Sequence, residues 1–260
     1  MDLADWVDDL AASGLHHFTT GEAVRALGAS PVAMRAAIRR LRARGRLATP
    51  FRGFHVGLPP EYRVLGCLPA DQFIPDLMEH LGLAYYAGVL TAARLHGAGH
   101  QAVQVFQVVV AANRPRIRCG RVGVDFVARR NVAEIPVVSR NTPRGVLQVS
   151  SPEATAFDLV GYPGHAGGLS NAATVLTELA EVLDARKLAA EIPHSPLPWT
   201  QRLGFLLESV GTPRLAAPLA AHVERHAREY APLRPGRPTE GVRRDPRWRL
   251  LLNEDVEPDL

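Results

Sequence analysis

Residues 19–57 read TTGEAVRALGASPVAMRAAIRRLRARGRLATPFRGFHVG. Thr19-Thr20-Gly21-Glu22 has the form of a capping box, with Thr19 as N-cap and Glu22 at the third helical position. It opens a short helix that stops at Gly28. Ser30-Pro31 then places a serine N-cap before a proline at the first helical position, starting SPVAMRAAIRRLRARG, which runs to Gly45. Two helices joined by a short glycine-containing turn are the helix-turn-helix arrangement, whose second helix enters the DNA major groove. That second helix has two faces. Met34, Ala37, Ile38 and Leu41 make an apolar stripe, while Arg35, Arg39 and Arg42 fall at i, i+4 and i+7 on the other side. After Gly45, Leu47 to Phe51 and Phe54 to Val56 read as two short strands around Arg52-Gly53, a basic hairpin the size of a wing.

Working outward, Leu3, Trp6, Val7 and Leu10 have helical spacing and give a scaffold helix that ends at Gly14. Leu58-Pro59-Pro60 closes the module, so residues 1–60 are expected to be a winged helix-turn-helix and residues 61–260 a larger mixed α/β domain. The fold class expected is α+β. Charge supports a nucleic-acid role for the first part. Eight arginines and one acidic residue, Glu22, lie between Gly14 and Leu58, although the whole chain of 260 residues carries only +4. Within this module Arg35 and Arg39 suit bidentate bonds to guanine, and Arg40, Arg42, Arg44 and Arg52 suit phosphates. Thr19 and Thr20 are candidate backbone contacts at the helix start. Set against this, a basic amphipathic helix is often just a solvated face. The agreement of caps, turn, arginine stripe and hairpin in the order a winged helix needs favours double-stranded DNA.

Beyond residue 61 the basic bias fades. Residues 84–95, AYYAGVLTAARL, read as a helix rich in small residues. Residues 103–110, 121–127 and 146–149 read as strands of a small sheet, with Val122, Val124 and Phe126 alternating against Arg121, Gly123 and Asp125. Ser151-Pro152-Glu153 caps a helix, and further helices are expected at 169–183, 199–209 and 214–228. Residues 232–247, rich in proline, glycine and arginine, read as an extended arm, and RWRLLLNEDVEPDL as a strand with an acidic tail. Arg114, Arg116, Arg118 and Arg121 alternate along an extended segment, with Arg129, Arg130, Arg140 and Arg144 near in sequence. They are either a second DNA contact or the solvated edge of a sheet.

Composition narrows the alternatives. No apolar run approaches the roughly 20 residues of a membrane span, and MDLADWVDDL is acidic where a signal peptide is basic, so a cytoplasmic protein is expected. Cys67 and Cys119 are isolated from each other in sequence and read as reduced thiols. His96 and His100 have the spacing of a helical zinc pair, but Gly97 and Gly99 between them argue against a continuing helix, and no metal site is expected. His16-His17 is a weaker pair still. Ser151, Glu153 and Asp158 are explained by helix capping rather than chemistry. The glycine-rich Gly167-Gly168-Leu169-Ser170 lacks the ending of a P-loop. No catalytic residue and no cofactor is expected. The enzyme alternative, a metal-dependent nuclease, rests on Asp125 and Glu134 beside the basic strands. A third alternative is a protein-interaction module that sequesters a toxin directly.

Four stretches, RLRARGRLATPFRGFHVGLPPEYRVLGCLPADQFIPDLMEHLGLAYYAGVLTAARLHGAGHQ, TPRGVLQVSSPEATAFDLVGYPGHAGGLSNAATVLTELAE, QRLGFLLE and RWRLLLNEDVEPDL, carry a family likeness. The chain resembles the AbiEi antitoxins of type IV toxin-antitoxin systems over nearly its whole length. The resemblance implies a winged-helix N-terminal domain joined to an antitoxin domain that represses its own operon at inverted repeats. It also implies a genetic partner, an AbiEii-like nucleotidyltransferase toxin, antagonised without a stable direct complex. The antitoxin role of residues 61–260 rests on this resemblance alone.

Overall fold

The computed structural model describes residues 1–99 and 105–258. The first 60 positions form α1 (Leu3–Ala12), β1 (His17–Thr19), α2 (Thr20–Leu27), α3 (Pro31–Ala43), β2 (Leu47–Phe51) and β3 (Phe54–Gly57). Next come α4 (Ile74–His80), β4 (Tyr85–Ala87), α5 (Val89–Leu95), β5 (Phe106–Val110), β6 (Ile117–Cys119), β7 (Val122–Ala128), β8 (Val137–Thr142) and β9 (Gly145–Ser150). The remainder is α6 (Pro152–Gly161), α7 (Leu169–Leu179), α8 (Ala185–Glu191), α9 (Leu197–Ser209), α10 (Pro213–His226), β10 (Ala231–Pro232), β11 (Arg243–Asp245) and β12 (Leu250–Leu252). The architecture is mixed α+β, with ten α-helices and several sheets among the described residues. Two compact units emerge: residues 1–85, 104–130 and 139–148 make the first, and residues 86–103, 131–138 and 149–260 the second.

In the first unit the local signals act as the sequence implies. Asp2 caps α1, its carboxylate accepting from the Ala4 and Asp5 amides at 2.7 and 3.0 Å. Thr19 Oγ1 accepts from the Glu22 amide at 3.1 Å, while Glu22 accepts from the Thr19 amide at 2.6 Å, closing the capping box of α2. Gly28 ends that helix at φ 61°, a left-handed value that glycine adopts without steric cost. Ser30 Oγ accepts from the Ala33 amide at 3.2 Å and Pro31 opens α3. Met34, Ile38 and Leu41 of α3 pack with Leu3, Val7, Phe18 and Leu47 in one core. Burying each large apolar side chain is worth about 1.5–3 kcal/mol, enough to fix which face of α3 turns inward.

The three-stranded sheet beside these helices has the order β1-β3-β2. β2 and β3 are antiparallel with Phe51 opposite Phe54, so Arg52 and Gly53 form the turn. The ladder is irregular between Ala48 and Phe51, where Pro50 has no amide to donate. β2 also lies against β6. β7 pairs in parallel with β5 and antiparallel with β6. The expected alternation along 121–127 is corrected: Val124 and Val127 are buried, whereas Phe126 is half-exposed. Strand β7 begins one residue later than read, leaving Arg121 in the turn before it.

The second unit is built on α6, which is buried from Glu153 to Val160 and packs against α5, α7, α8 and α9. Ser151 caps it, accepting from the Ala154 amide at 3.1 Å. One helix over residues 84–95 is overturned. Tyr85–Ala87 is strand β4, with Ala87 pairing in parallel with Val149, and the helix α5 begins only after Gly88. The 232–247 arm is likewise corrected at its ends: β12 pairs in parallel with β10 and antiparallel with β11, a small sheet that ties Arg243–Asp245 to Leu250–Leu252. Trp248, fully buried, lies directly over Gly204 of α9 and donates from Nε1 to Glu208 at 2.7 Å. The strand expected at 103–110 is described from Phe106, its first residues lying outside the described ones.

Candidate nucleic-acid interface

Folding α3 onto the core leaves Arg35, Arg39, Arg40, Arg42 and Arg44 exposed on its outer side, and Arg52 exposed at the tip of the β2–β3 turn. Val32, at the start of the same helix, is 69% exposed. The hydroxyls of Thr19 and Thr20 have partners within the fold. Thr19 serves the capping box, and Thr20 Oγ1 lies 2.8 Å from Nε2 of His55.

His55 was not singled out in the sequence. It is buried on β3 between two hydroxyls, with Thr49 Oγ1 2.9 Å from its Nδ1. Burial, reinforced by the charge of Arg42, pushes its pKa down to about 4, so the ring is neutral near pH 7. A neutral imidazole donates from one nitrogen and accepts at the other, which matches a hydroxyl on each side. The ring thereby pins the start of α2 to both strands of the hairpin. Nearby, His17 Nδ1 pairs with Asp76 of α4 at 2.9 Å, and that hydrogen bond holds the imidazole above its ordinary pKa. Phe54 is stacked by His17 and flanked by His80.

The two arginine groups that are far apart in sequence meet around the hairpin. Arg39 and Arg42 of α3, Thr49 of β2 and Arg118 of β6 line one groove of about 500 Å³. Arg52, Arg114, Arg116 and Arg118 line a second cleft of about 250 Å³ at the Pro50–Arg52 end of β2. Arg118 borders both. The members of the second group are not equivalent. Arg116 Nε pairs with Asp125 at 3.0 Å, so its charge is partly spent, and Arg121 stands outside both clefts, its amide donating to the Leu65 carbonyl at 2.8 Å. Arg144 donates to Gln72 at 2.8 Å and Arg129 is buried. Arg46 is tied to Asp8 of α1.

The same pairing bears on the enzyme alternative, because Asp125 is engaged by an arginine instead of facing an open metal position. Among the described residues, no three or more His, Cys, Asp or Glu side chains are grouped to hold a metal ion. Of the histidine pair, His96 meets the Ser150 carbonyl at 2.7 Å and α5 has ended at Leu95, while His100 lies outside the described residues. Glu153 accepts from the Asp184 amide at 3.1 Å. No described helix is long and apolar enough to cross a membrane.

The sequence model of the AbiEi antitoxin C-terminal domain matches residues 86–209. This stretch is an AbiEi antitoxin C-terminal domain. The AbiEi domain runs from β4 to the end of α9, and its identity supports a toxin-antitoxin role for the chain. The arginine-lined hairpin and α3 lie ahead of it in sequence. The fold of the whole chain is similar to the crystal structure of the RV2827C protein from Mycobacterium tuberculosis, with a TM-score of 0.65 at 20% identity. That likeness covers 94% of this chain and 88% of the other, and at this identity it speaks for the fold alone. Among curated proteins none matches the chain.

Proposed function

We propose that the chain is a DNA-binding regulator and antitoxin, in which residues 1–60 act as a winged helix-turn-helix and α3 is the recognition helix. The observation that carries this reading is the exposure of every α3 arginine on the face opposite its buried apolar stripe, beside a hairpin that presents Arg52. Arg35 and Arg39 read guanine edges, and exposed Val32 suits a thymine methyl group. Arg40, Arg42, Arg44 and Arg52 meet phosphates. Arg118, and with it Arg114, extends the phosphate track from the wing, which favours a DNA contact over a purely solvated edge for this pair. Arg116 adds less because of Asp125. Thr19 and Thr20 act by holding the helix start and His55 in place. The target is the chain's own promoter, at inverted repeats. The genetic partner is an AbiEii-like nucleotidyltransferase toxin, antagonised without a stable complex, as the AbiEi domain and the family resemblance support. The chain itself performs no catalysis.

Footprinting on about 200 base pairs of upstream DNA tests this reading. Protection of two inverted half-sites is expected. Uniform, competitor-sensitive coverage would leave the arginine face as a sequence-blind polyanion surface.

A further inference from the structure

Cys67 and Cys119, 52 positions apart in the sequence, are brought together by the fold. The chain segments that carry them are clasped backbone to backbone. A Cβ placed on Gly120 would lie 2.3 Å from the Leu65 carbonyl oxygen and 2.7 Å from Gly66 Cα, and one placed on Gly66 would lie 3.1 Å from Gly120 Cα. Both glycines adopt positive φ, 73° and 57°, and the Arg121 amide closes the clasp onto Leu65. Each cysteine is the chain neighbour of one of these glycines, so the clasp brings the two thiols together, and each is the leading influence on the other's ionisation. Both are free thiols. Both are buried, but Cys67 is 0% exposed, whereas Cys119 keeps 8% exposure where it borders the groove lined by Arg39, Arg42 and Arg118.

We propose that Cys67 and Cys119 are a peroxide-responsive thiol pair that closes into an intramolecular disulfide, Cys119 reacting first from the groove and Cys67 resolving. The Cys119 thiolate attacks one oxygen of a hydroperoxide. The O–O bond breaks, an S–O bond forms, and the departing oxygen leaves as water or an alcohol after taking a proton. Cys67 sulfur then attacks the Cys119 sulfenic acid. The S–S bond forms as the S–O bond breaks, and the hydroxyl leaves as water with the Cys67 proton. Two thiols lose two electrons and the peroxide gains them.

The surroundings favour this order. The hydrogen bond from Cys67 holds the Cys119 thiol below the usual thiol range, with the Arg42 charge acting in the same direction. That same contact, together with burial, pushes Cys67 up. A thiol at the edge of a groove with an arginine charge acting on it oxidises ahead of a partner with no exposure at all. Closing the bond fixes the Gly66 turn to β6, the strand that carries Arg118. The inference stands on the glycine clasp that brings the two cysteines together and is independent of the DNA-binding reading.

The test treats the full chain with hydrogen peroxide and follows it by intact mass and non-reducing peptide mapping. Expected is loss of two hydrogens, a cross-link joining the Cys67 and Cys119 peptides, and reversal by dithiothreitol. Cys67→Ser is expected to accumulate a dimedone-trappable sulfenic acid at Cys119, and Cys119→Ser to stay unreacted at Cys67. Two free thiols after treatment, independent over-oxidation of both cysteines, or a cross-link only between separate chains would overturn the proposal. The wild-type map decides the matter even where a serine variant fails to fold.

Discussion

Arg39 and Arg52 are both exposed arginines, yet they are expected to fail differently when removed. On the proposed reading Arg39 meets a base edge, so Arg39→Ala should relax sequence preference by about 1–3 kcal/mol at one position, read by competition between operator variants. On the same proposal Arg52 meets a phosphate. Arg52→Ala should weaken binding to all sequences alike and reduce the slope of log K against log salt by about 1. The reverse pattern would exchange their roles. A third residue tests the fold instead. A Cβ on Gly204 would lie 1.9 Å from the Trp248 ring, which is wedged among buried neighbours and cannot retreat. Gly204→Ala is therefore expected to cost about 3 kcal/mol in urea unfolding, at the upper end of overpacking penalties. An unchanged midpoint would show that the ring is not seated there. At this scale the sequence showed the arginine face, because helical spacing alone separates it from the apolar stripe. It hid His55, since a single histidine in a short strand gives no pattern.

The elements around β1 and β3 carry a pH dependence with two opposing limbs. His17 is held above its ordinary pKa by Asp76, so the folded state binds its proton more tightly than the unfolded chain does. Its stabilisation is fully present below about pH 6.5 and is lost as pH rises through the raised folded value. His55 works the other way. With a folded pKa of about 4, it contributes stability above about pH 6.5 that is lost as pH falls toward 4, up to about 3 kcal/mol. Urea titrations across this range should show the upper limb vanish in Asp76→Asn and the lower limb vanish in His55→Gln. A persistent upper limb in Asp76→Asn would remove that ion pair from the account. The elements most legible in sequence were those with local signals: the capping box of α2, Ser30-Pro31 at α3 and Ser151-Pro152 at α6. Strand β4 was not legible, because Ala87 pairs with Val149, some 60 positions away, and local periodicity joined it to α5 across Gly88. The seven-residue helices α4 and α8 were too short to show a period.

For the whole molecule, the long-range contacts decide what the sequence could not. Arg118 approaches Arg39, Arg42 and Arg52 only because β6 packs on β2, and Cys67 approaches Cys119 only because Gly66 and Gly120 permit backbone contact. Neither meeting has a signature in composition or spacing. The AbiEi domain was legible by resemblance, whereas the meeting of two arginine groups at one hairpin required the fold. If that hairpin and α3 form one surface, the whole chain should bind its promoter with a steep salt dependence that falls in steps as arginines are removed. The most direct test is a titration of upstream DNA with the full chain at two salt concentrations, comparing wild type with Arg35→Ala/Arg39→Ala in the presence of competitor DNA. The account predicts specific binding by the wild type, and in the variant loss of specificity with residual salt-sensitive binding; equal specific binding by both proteins would contradict it.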